Sequence, residues 1–469
     1  MAKVISQETF DDVVKENIVE FAMSPDEAKQ ETINQFEAQG INLVNIIKDL
    51  AINEDTGKPI LNESIDNLKV YVDDKCEDKE KLLNLLKNID EECQKSIAHR
   101  VLAGKNNVNS LLLQILNQQL DLPDSNANTT DVTVAVLKTL NSLYNTQPDI
   151  FDANSLSLAK RLLDSYVDND QVACLTLQWL QKCCVMHEMN RQNIIQANIK
   201  QHLKPFVCKE KPNVLREALT VCRYLVLDDD IRVEFGCAHE HARQLGAEFI
   251  VDLTNLLAEF EDPVILADLL LTIGTLAVRQ ELCTTVDEAG GIKLVLQVMS
   301  NNINAVRLNR EALKLLRALA GHDTVKSHIV QQGVAPTLKE LLHTHMANEK
   351  LVMAALGCIA TLTLRVKDNS KILFDTGISE CIVESMRLHQ KNKIIQRNGA
   401  WAIRNMVSRS REQCDTWLSF GIEDVLNTAL GEHPSILQDV KAALRDLGCK
   451  VDLKEEWTGT AEKKIMNKQ

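Results

Sequence analysis

The sequence predicts an all-α solenoid, in which short helical repeats stack on one another. Four strings containing Gly recur in the second half of the chain: Gly290-Gly291-Ile292, Gln332-Gly333-Val334, Thr376-Gly377-Ile378 and Phe420-Gly421-Ile422. Counted from the second Gly of the first string, they lie 42, 44 and 44 residues apart, which is the period of two- and three-helix repeats. Hydrophobic residues form 45% of the chain but aromatic residues only 4%, with 9 Pro and 17 Gly. This composition favours closely packed helices over sheets.

A repeat of this kind cannot bury its apolar face alone. Neighbouring repeats must therefore stack, and stacking creates an extended concave surface that suits the binding of a partner. The pattern indicates a binding protein before any catalytic residue is considered.

The elements follow in chain order. Residues 1–38 are predicted to form two helices that cap the array, and the second begins at Ser24 and Pro25, an N-cap followed by Pro at the first helical position. Residues 39–130 are predicted to form irregular repeats, with a polar excursion near 51–74.

Residues 131–448 are predicted to form the regular array, closed by a helix over 435–448 and followed by a polar tail over 449–469. A polar stretch at 120–131 predicts a loop between repeats. Further copies of the turn string are expected at Gly40, Asn107, Asn198 and Gly246. Asn replaces Gly in two of them because it is the next residue to tolerate a positive φ.

A second internal match joins two helices at an offset of 94 residues. Arg216-Glu217-Ala218-Leu219 continues to Arg223, and Arg310-Glu311-Ala312-Leu313 continues to Arg317. The apolar members recur at spacings of three and four, which predicts a helix with one buried stripe. The last Arg of each run lies off that stripe.

The run from Gln396 to Met406, which contains Ala-Trp-Ala-Ile-Arg-Asn, resembles the third helix of an armadillo repeat. Together with the Gly-Ile strings, the resemblance covers at least residues 210–448 and, more weakly, 40–448. The run from Glu8 to Gly40 also resembles one member of that family. The resemblance implies a right-handed α-solenoid of about eight or nine armadillo-type repeats and a general role in protein binding.

The resemblance also implies a ligand-binding pair on one helix face, Trp401 and Asn405. In importin-α-like members the Asn bonds the main chain of an extended peptide and the Trp forms a wall for its side chains. This chain has only one such pair. In the register matched from sequence, Leu219 and Leu313 replace Trp, while Arg223 and Arg317 replace Asn. The chain lacks a basic N-terminal autoinhibitory segment as well, so a nuclear-import receptor is not expected.

These replacements suggest a locally basic groove that would capture carboxylates or phosphates, which suit the bidentate guanidinium. Its candidate residues are Arg223, Arg310, Arg317, Arg397, Trp401, Arg404 and Asn405. Three other interpretations remain open. The arginines could pair with acids on adjacent helices such as Glu217 and Glu311, Trp401 could pack between repeats, and Asn405 could form a cap or an inter-helix hydrogen bond.

Charge and composition exclude several classes of partner and location. The formal charge of −14 makes nucleic acid a poor partner, because affinity there depends on a basic face. Neither the first ten residues nor any later run predicts a signal peptide or a membrane span. Thirteen Cys without a CxxC pair predict reduced thiols in a cytoplasmic protein, with a nuclear location as the alternative.

No catalytic motif is recognisable. Gly104-Lys105 lacks the rest of a phosphate-binding loop, and neither GxSxG nor HExxH occurs. The string Cys237-Ala238-His239-Glu240-His241 would place Cys237 and His241 on one helix face, with His239 pointing away. Two ligands are too few for structural zinc, so neither a metal nor a cofactor is expected.

The sequence therefore favours a non-catalytic scaffold or adaptor, expected to be a monomer, that holds a protein partner in its groove. An extended acidic or phosphorylated segment is the partner that the arginines suggest. The alternative is a helical-repeat chaperone or nucleotide-exchange regulator that grips a folded or part-folded client. An enzyme is a distant third possibility.

Overall fold

A computed structural model of the chain describes residues 3–48, 59–122 and 127–451, and at 127–129 the main chain only. All regular structure in these ranges is helical, apart from an isolated β-bridge between Lys3 and Ile41 and a bridge residue at Pro59. The all-α fold class is confirmed. Parts of three predicted segments lie outside the described residues: 51–58 of the polar excursion, 123–126 of the predicted loop, and the tail from 452.

The chain divides into two compact units, residues 1–245 and 246–469. The first unit contains α1 (Gln7–Glu20), α2 (Pro25–Ala38), α3 (Ile60–Asp73), α4 (Lys79–Lys95), α5 (Ile97–Lys105), α6 (Val108–Leu120), α7 (Ala127–Leu143), α8 (Ala153–Ser165), α9 (Asp170–Cys184), α10 (Glu188–Gln196), α11 (Ile199–Leu203), α12 (Pro212–Leu225) and the beginning of α13 (Ala238–Leu256). It also contains the 3₁₀-helices Pro148–Ile150 and Lys204–Phe206.

The second unit contains the end of α13, α14 (Pro263–Leu276), α15 (Gln280–Glu288), α16 (Gly291–Asn301), α17 (Val306–Leu319), α18 (Asp323–Gln331), α19 (Val334–Thr344), α20 (Glu349–Thr363), α21 (Lys367–Asp375), α22 (Ile378–Leu388), α23 (Lys393–Val407), α24 (Cys414–Ser419), α25 (Ile422–Glu432) and α26 (Leu437–Leu447). Its 3₁₀-helices are Arg411–Gln413 and Pro434–Ile436.

The helices of the second unit repeat in sets of three. Each third helix packs on the next, in the order α14, α17, α20, α23 and α26, and the second helices α16, α19, α22 and α25 form a parallel series. In the first unit, α4, α7, α9 and α12 pack in the same serial way. Each unit is therefore a stack of armadillo-type repeats, in which a helix contacts its counterparts in the neighbouring repeats.

The turns between first and second helices explain the recurring strings. Gly333, Gly377 and Gly421 directly precede a second helix with φ of +89°, +74° and +76°. Asn107 and Asn198 hold the same position with φ of +61° and +58°. These positive φ values confirm the prediction of Gly or Asn at the turns. Left-handed backbone is strained for most other residues.

Two of the predicted turn residues are wrong. Gly290 has the positive φ of +77°, whereas Gly291 is the first residue of α16; counted from Gly290, the next turn comes 43 residues later. Gly246 lies inside α13 and not at a turn. A Cβ added there would lie 2.7 Å from Leu282 Cδ1, so close packing against α15 explains this glycine.

The N-terminal helix start is confirmed. Ser24 caps α2 with a full capping box, in which its side chain accepts from the Glu27 main chain and the Glu27 side chain accepts from Ser24. Farther along, the excursion predicted near 51–74 contains a helix of 14 residues, α3. Leu61, Ile65 and Leu68 lie at helical spacing and are buried. Their burial packs this polar stretch against the rest of the unit.

The core is mainly aliphatic, but among the described residues each unit buries one tryptophan completely. Trp179 in the first unit packs edge-to-face against Tyr144 and Phe151, with ring centroids 5.6 Å and 5.9 Å away. Trp417 in the second unit lies 6.3 Å from the Phe374 ring. Edge-to-face aromatic pairs of this kind add to the stability that burial alone provides.

Candidate functional site

The register of the third helices differs by one residue from that matched by sequence. The N-cap residues of α17 and α23, Ala305 and Asn392, lie 87 positions apart, whereas matching Leu313 to Trp401 requires 88. In the structural register Arg317 corresponds to Arg404. The fully buried Leu313 corresponds to Ala400, which is also buried.

The residues that occupy the Trp and Asn positions in α17 are therefore Lys314 and Ala318, both exposed. The predicted equivalence of Arg317 with Asn405 is wrong because one of the intervening repeats is a residue shorter. The offset of 94 between α12 and α17 holds, since their N-cap residues Lys211 and Ala305 are separated by that number. Arg223 and Arg317 thus occupy equivalent positions, one in each unit.

Trp401 is half-buried on α23 and its polar edge is occupied. Its Nε1 donates to Asp439 Oδ1 on α26 at 2.8 Å. The Arg397 guanidinium lies over the ring, with Cζ 4.8 Å from the centroid, which is a cation–π geometry. Trp401 is therefore both an inter-repeat contact and the base on which a cation stacks.

Asn405 forms the inter-helix hydrogen bond that the sequence left open as an alternative. Its Nδ2 donates to the main-chain oxygen of Ala360 on α20 at 2.8 Å. The side chain thus links two successive third helices, and its carbonyl oxygen is the group that remains to accept from a partner.

Two of the candidate arginines have carboxylate partners. Arg310 Nη2 lies 2.8 Å from Glu311 Oε1, and Lys314 holds the other oxygen of that carboxylate at 3.1 Å. Arg404 Nε lies 3.5 Å from Asp446 Oδ2. Arg404 therefore pairs with an acid on an adjacent helix, as that interpretation expects, whereas Arg310 pairs with an acid on its own helix. Glu217 has other partners, since its carboxylate oxygens accept hydrogen bonds from Gln178 and Gln181. In the first unit, Arg223 Nη2 donates to Thr220 Oγ1 at 2.7 Å.

The other two, Arg317 and Arg397, form no ion pair within the described part of the chain. Arg397 has a buried Nε without a hydrogen-bond partner there, and Arg317 is exposed. The Nη groups of a guanidinium that forms no ion pair can still bond a carboxylate or phosphate in bidentate fashion. In the second unit these two are the arginines of the third helices that form no ion pair among the described residues.

Sequence reasoning missed the residue that positions Arg317. Gly357 on α20 occupies the position that Trp401 has on α23, since the N-cap residues Asn348 and Asn392 lie 44 apart. A Cβ added at Gly357 would lie 2.8 Å from Arg317 Nη1 and 3.2 Å from Asn398 Nδ2. A Gly in a helix interior costs stability, and that cost was the one available signal for a close approach here.

The neighbourhood of Arg317 also influences a buried thiol. Burial raises the pKa of Cys358 to about 12, and the Arg317 charge opposes that rise. None of the thirteen cysteines is paired in a disulfide. In the described ranges, each helix is too short or too polar to cross a membrane.

The chain is similar to known proteins along nearly its whole length. A family model named ARMC6 matches residues 61–466, and the model of the armadillo repeat-containing protein 6 N-terminal domain matches residues 2–67. The Armadillo repeat-containing protein 6 homolog of Drosophila melanogaster is 62% identical over 99% of this chain and 100% of its own length. Human armadillo repeat-containing protein 6 is 30% identical, over 98% and 93% respectively.

Among solved structures, an engineered protein covers 84% of this chain and 100% of its own, with a TM-score of 0.59 and 13% identity. At that identity the likeness concerns the fold alone.

Proposed function

Because the chain belongs to the armadillo repeat-containing protein 6 family, we propose that it is a non-catalytic scaffold that holds an extended partner segment along the third helices of its second unit. The segment carries acidic or phosphorylated side chains. A concave groove lined by the stacked third helices would bring such a segment beside Arg317, Arg397, Trp401 and Asn405.

The observation that carries the proposal is the pair of guanidinium groups without carboxylate partners. The chain has a net charge of −14, so acids are abundant, yet Arg317 and Arg397 pair with none of those described. Arg is the side chain best suited to bidentate recognition of carboxylate and phosphate. An aromatic residue beside an arginine is also the composition typical of binding hot spots.

Asn405 supports the fold as well as the groove in this proposal. Its bond to Ala360 means that truncation should lower the free energy of unfolding by about 1 kcal/mol, the usual net worth of a hydrogen bond. Its effect on binding must therefore be compared at equal amounts of folded protein.

Peptide arrays test the proposal directly. Arrays of phosphorylated, acidic and basic peptides are probed with the wild type and with Arg317→Ala, Arg397→Ala and Trp401→Ala. We expect selective retention on phosphorylated or acidic spots, with a loss on the order of 1–3 kcal/mol of binding free energy for each truncation. Arg409→Ala is the matched control, since Arg409 is exposed just beyond α23. Retention equal to wild type in all three variants would refute the groove.

A second candidate function, the gripping of a folded or part-folded client, has one observation in its favour. The connection between α12 and α13 in the first unit exposes Ile231 by 91% and Phe235 by 82%. Single exposed apolar side chains are ordinary, but two large ones this exposed within five residues of one connection offer an apolar contact surface. Suppression of the aggregation of a denatured model protein, lost in Ile231→Ser with Phe235→Ser and retained in Arg317→Ala, would favour this candidate.

A further inference from the structure

One side-chain cluster in the first unit lies outside the proposed groove. Glu188 begins α10, Cys237 directly precedes α13, and His241 lies in its first turns. Each offers one metal-ligand atom, and these atoms all lie within 4.8 Å of one another. We propose that the three residues bind a divalent transition metal ion, with Zn²⁺ as the preferred ion, which fastens the connection at 226–237 to α10.

The histidine is prepared to act as a ligand. His241 Nδ1 lies 3.0 Å from the main-chain oxygen of Leu225, and since a carbonyl oxygen can only accept, Nδ1 carries the proton. The lone pair of the neutral ring is therefore on Nε2. Ligating histidines typically have their second nitrogen bonded to a carbonyl or carboxylate in this way.

The carboxylate is held in place by three donors. Glu188 Oε1 accepts from the Cys237 main chain at 2.7 Å and from Gln192 at 2.9 Å, and Oε2 accepts from Arg191 Nε at 2.9 Å. Such bonds orient a metal-binding carboxylate without using all of its lone pairs. Arg191 also pairs with Asp229, whose Oδ1 lies 2.6 Å from Nη1. This second carboxylate offsets the repulsion between the Arg191 charge and a bound metal ion.

One of the three proposed ligands is accessible to an ion from solvent. Glu188 is 1% exposed and His241 is 4% exposed, whereas Cys237 is only half-buried. The Cys237 thiol is therefore the accessible ligand, and its side chain can move because it precedes the helix. A thiolate with a carboxylate also balances the charge of a divalent ion.

Ligand type determines the class of metal. A thiolate and an imidazole favour Zn²⁺ and its neighbours over Mg²⁺ and Ca²⁺, which prefer oxygen. Bonds of about 2.0–2.3 Å in a tetrahedron separate the ligand atoms by roughly 3.5 Å. The cluster must therefore contract by about 1 Å on binding, with water as the fourth ligand. Sequence alone showed Cys237 and His241, but Glu188 lies 49 residues before Cys237 and only the fold brings it there.

Cobalt titration tests the site in the full, untagged chain. Co²⁺ bound to a thiolate gives a ligand-to-metal charge-transfer absorption, so we expect this band to saturate at one ion per chain and to disappear when Zn²⁺ is added. Zn²⁺ should also raise the melting temperature, whereas Mg²⁺ should not. Absence of the charge-transfer band in the wild type would overturn the proposal.

Matched variants locate the site. Cys237→Ser and His241→Gln should each weaken Co²⁺ binding by at least about 100-fold, since even residues behind the ligands contribute 10- to 100-fold. Cys237→Ser is the decisive variant, because a half-buried side chain at a helix start should not be needed for folding, which circular dichroism verifies. The controls are His239→Gln, an exposed histidine of the same string, and Cys208→Ser. Unchanged binding in Cys237→Ser, or an equal loss in either control, would contradict the site.

Discussion

The Arg317 guanidinium occupies the space that a side chain at Gly357 would fill, because an added Cβ there would lie 2.8 Å from Arg317 Nη1. The glycine has ordinary helical backbone, so conformational freedom does not explain it. Close approach explains it. The third helix α20 has no side chain at Gly357, and Arg317 of the preceding third helix, α17, lies against the main chain there.

Replacing Gly357 with Ala should separate stability from binding. Ala is the better helix former by roughly 1 kcal/mol. The nearest atom it meets is the end of the flexible, exposed Arg317 side chain, and the buried Asn398 Nδ2 at 3.2 Å must yield by a few tenths of an ångström. We expect the free energy of unfolding in urea to stay constant or to rise by up to about 1 kcal/mol. Binding of acidic peptides should fall by roughly tenfold, because Arg317 is displaced.

The control for this prediction is Gly431→Ala in α25, where an added Cβ meets nothing within 4 Å. It should bring the same helical gain and leave peptide binding unchanged. A loss of more than 2 kcal/mol in Gly357→Ala would show that the glycine is required by the fold and not by Arg317.

The stacking of Arg397 on Trp401 should appear as a coupling energy. A double-mutant cycle with Arg397→Met and Trp401→Leu is expected to give about 0.5–1 kcal/mol, the range for a partly exposed cation–π pair. The measurement is urea unfolding of the four proteins. A parallel cycle that replaces Arg409 in place of Arg397 should give no coupling, and equal coupling in both cycles would contradict a direct contact.

At the turn glycines, substitution by Ala should cost more stability than substitution by Asn. At Gly333, with φ of +89° and open space around its Cβ position, strain is the only penalty. We expect Gly333→Ala to cost roughly 1–2 kcal/mol and Gly333→Asn to cost less, because Asn already adopts this backbone at Asn107 and Asn198. Hydrogen exchange of α18 and α19 provides the readout, and an equal cost for both substitutions would show that φ is not the cause.

Thiol reactivity should follow burial. Desolvation raises the pKa of Cys93, Cys184, Cys222 and Cys358 to about 12, so each remains a neutral, unreactive thiol at pH 8 and ionises only as the pH approaches that value. Iodoacetamide on the native protein should spare these four and label the half-buried Cys237. Mass spectrometry of tryptic peptides checks the pattern, and denatured protein, in which all thirteen cysteines should react, is the reference.

That last count also tests the expectation that all thirteen thiols are reduced. Protein kept anaerobic and denatured without reductant should show no missing thiol. Two or more missing thiols would reveal a disulfide.

The sequence was sufficient for the local features and insufficient for the distant ones. Positive φ at Gly333 and Asn198 could be predicted because a left-handed turn restricts residue type directly. The register of Arg317 against Trp401 could not be derived by matching the two strings alone, because a repeat shorter by one residue shows only in the spacing of the turns. Glu188 could not be connected with Cys237 either, since nothing in the local sequence of α10 indicates which residues the next repeat brings to it.

The buried tryptophans have a practical consequence for spectroscopy. Trp179 reports on the first unit and Trp417 on the second, and both are fully shielded from water, so each should emit at short wavelength until its own surroundings open. Variants that retain one of them and replace the other three of the four tryptophans provide a separate optical signal for each half of the chain. Two emission curves that coincide during denaturation would indicate one cooperative transition, while curves that diverge would give the order in which the repeats lose their structure.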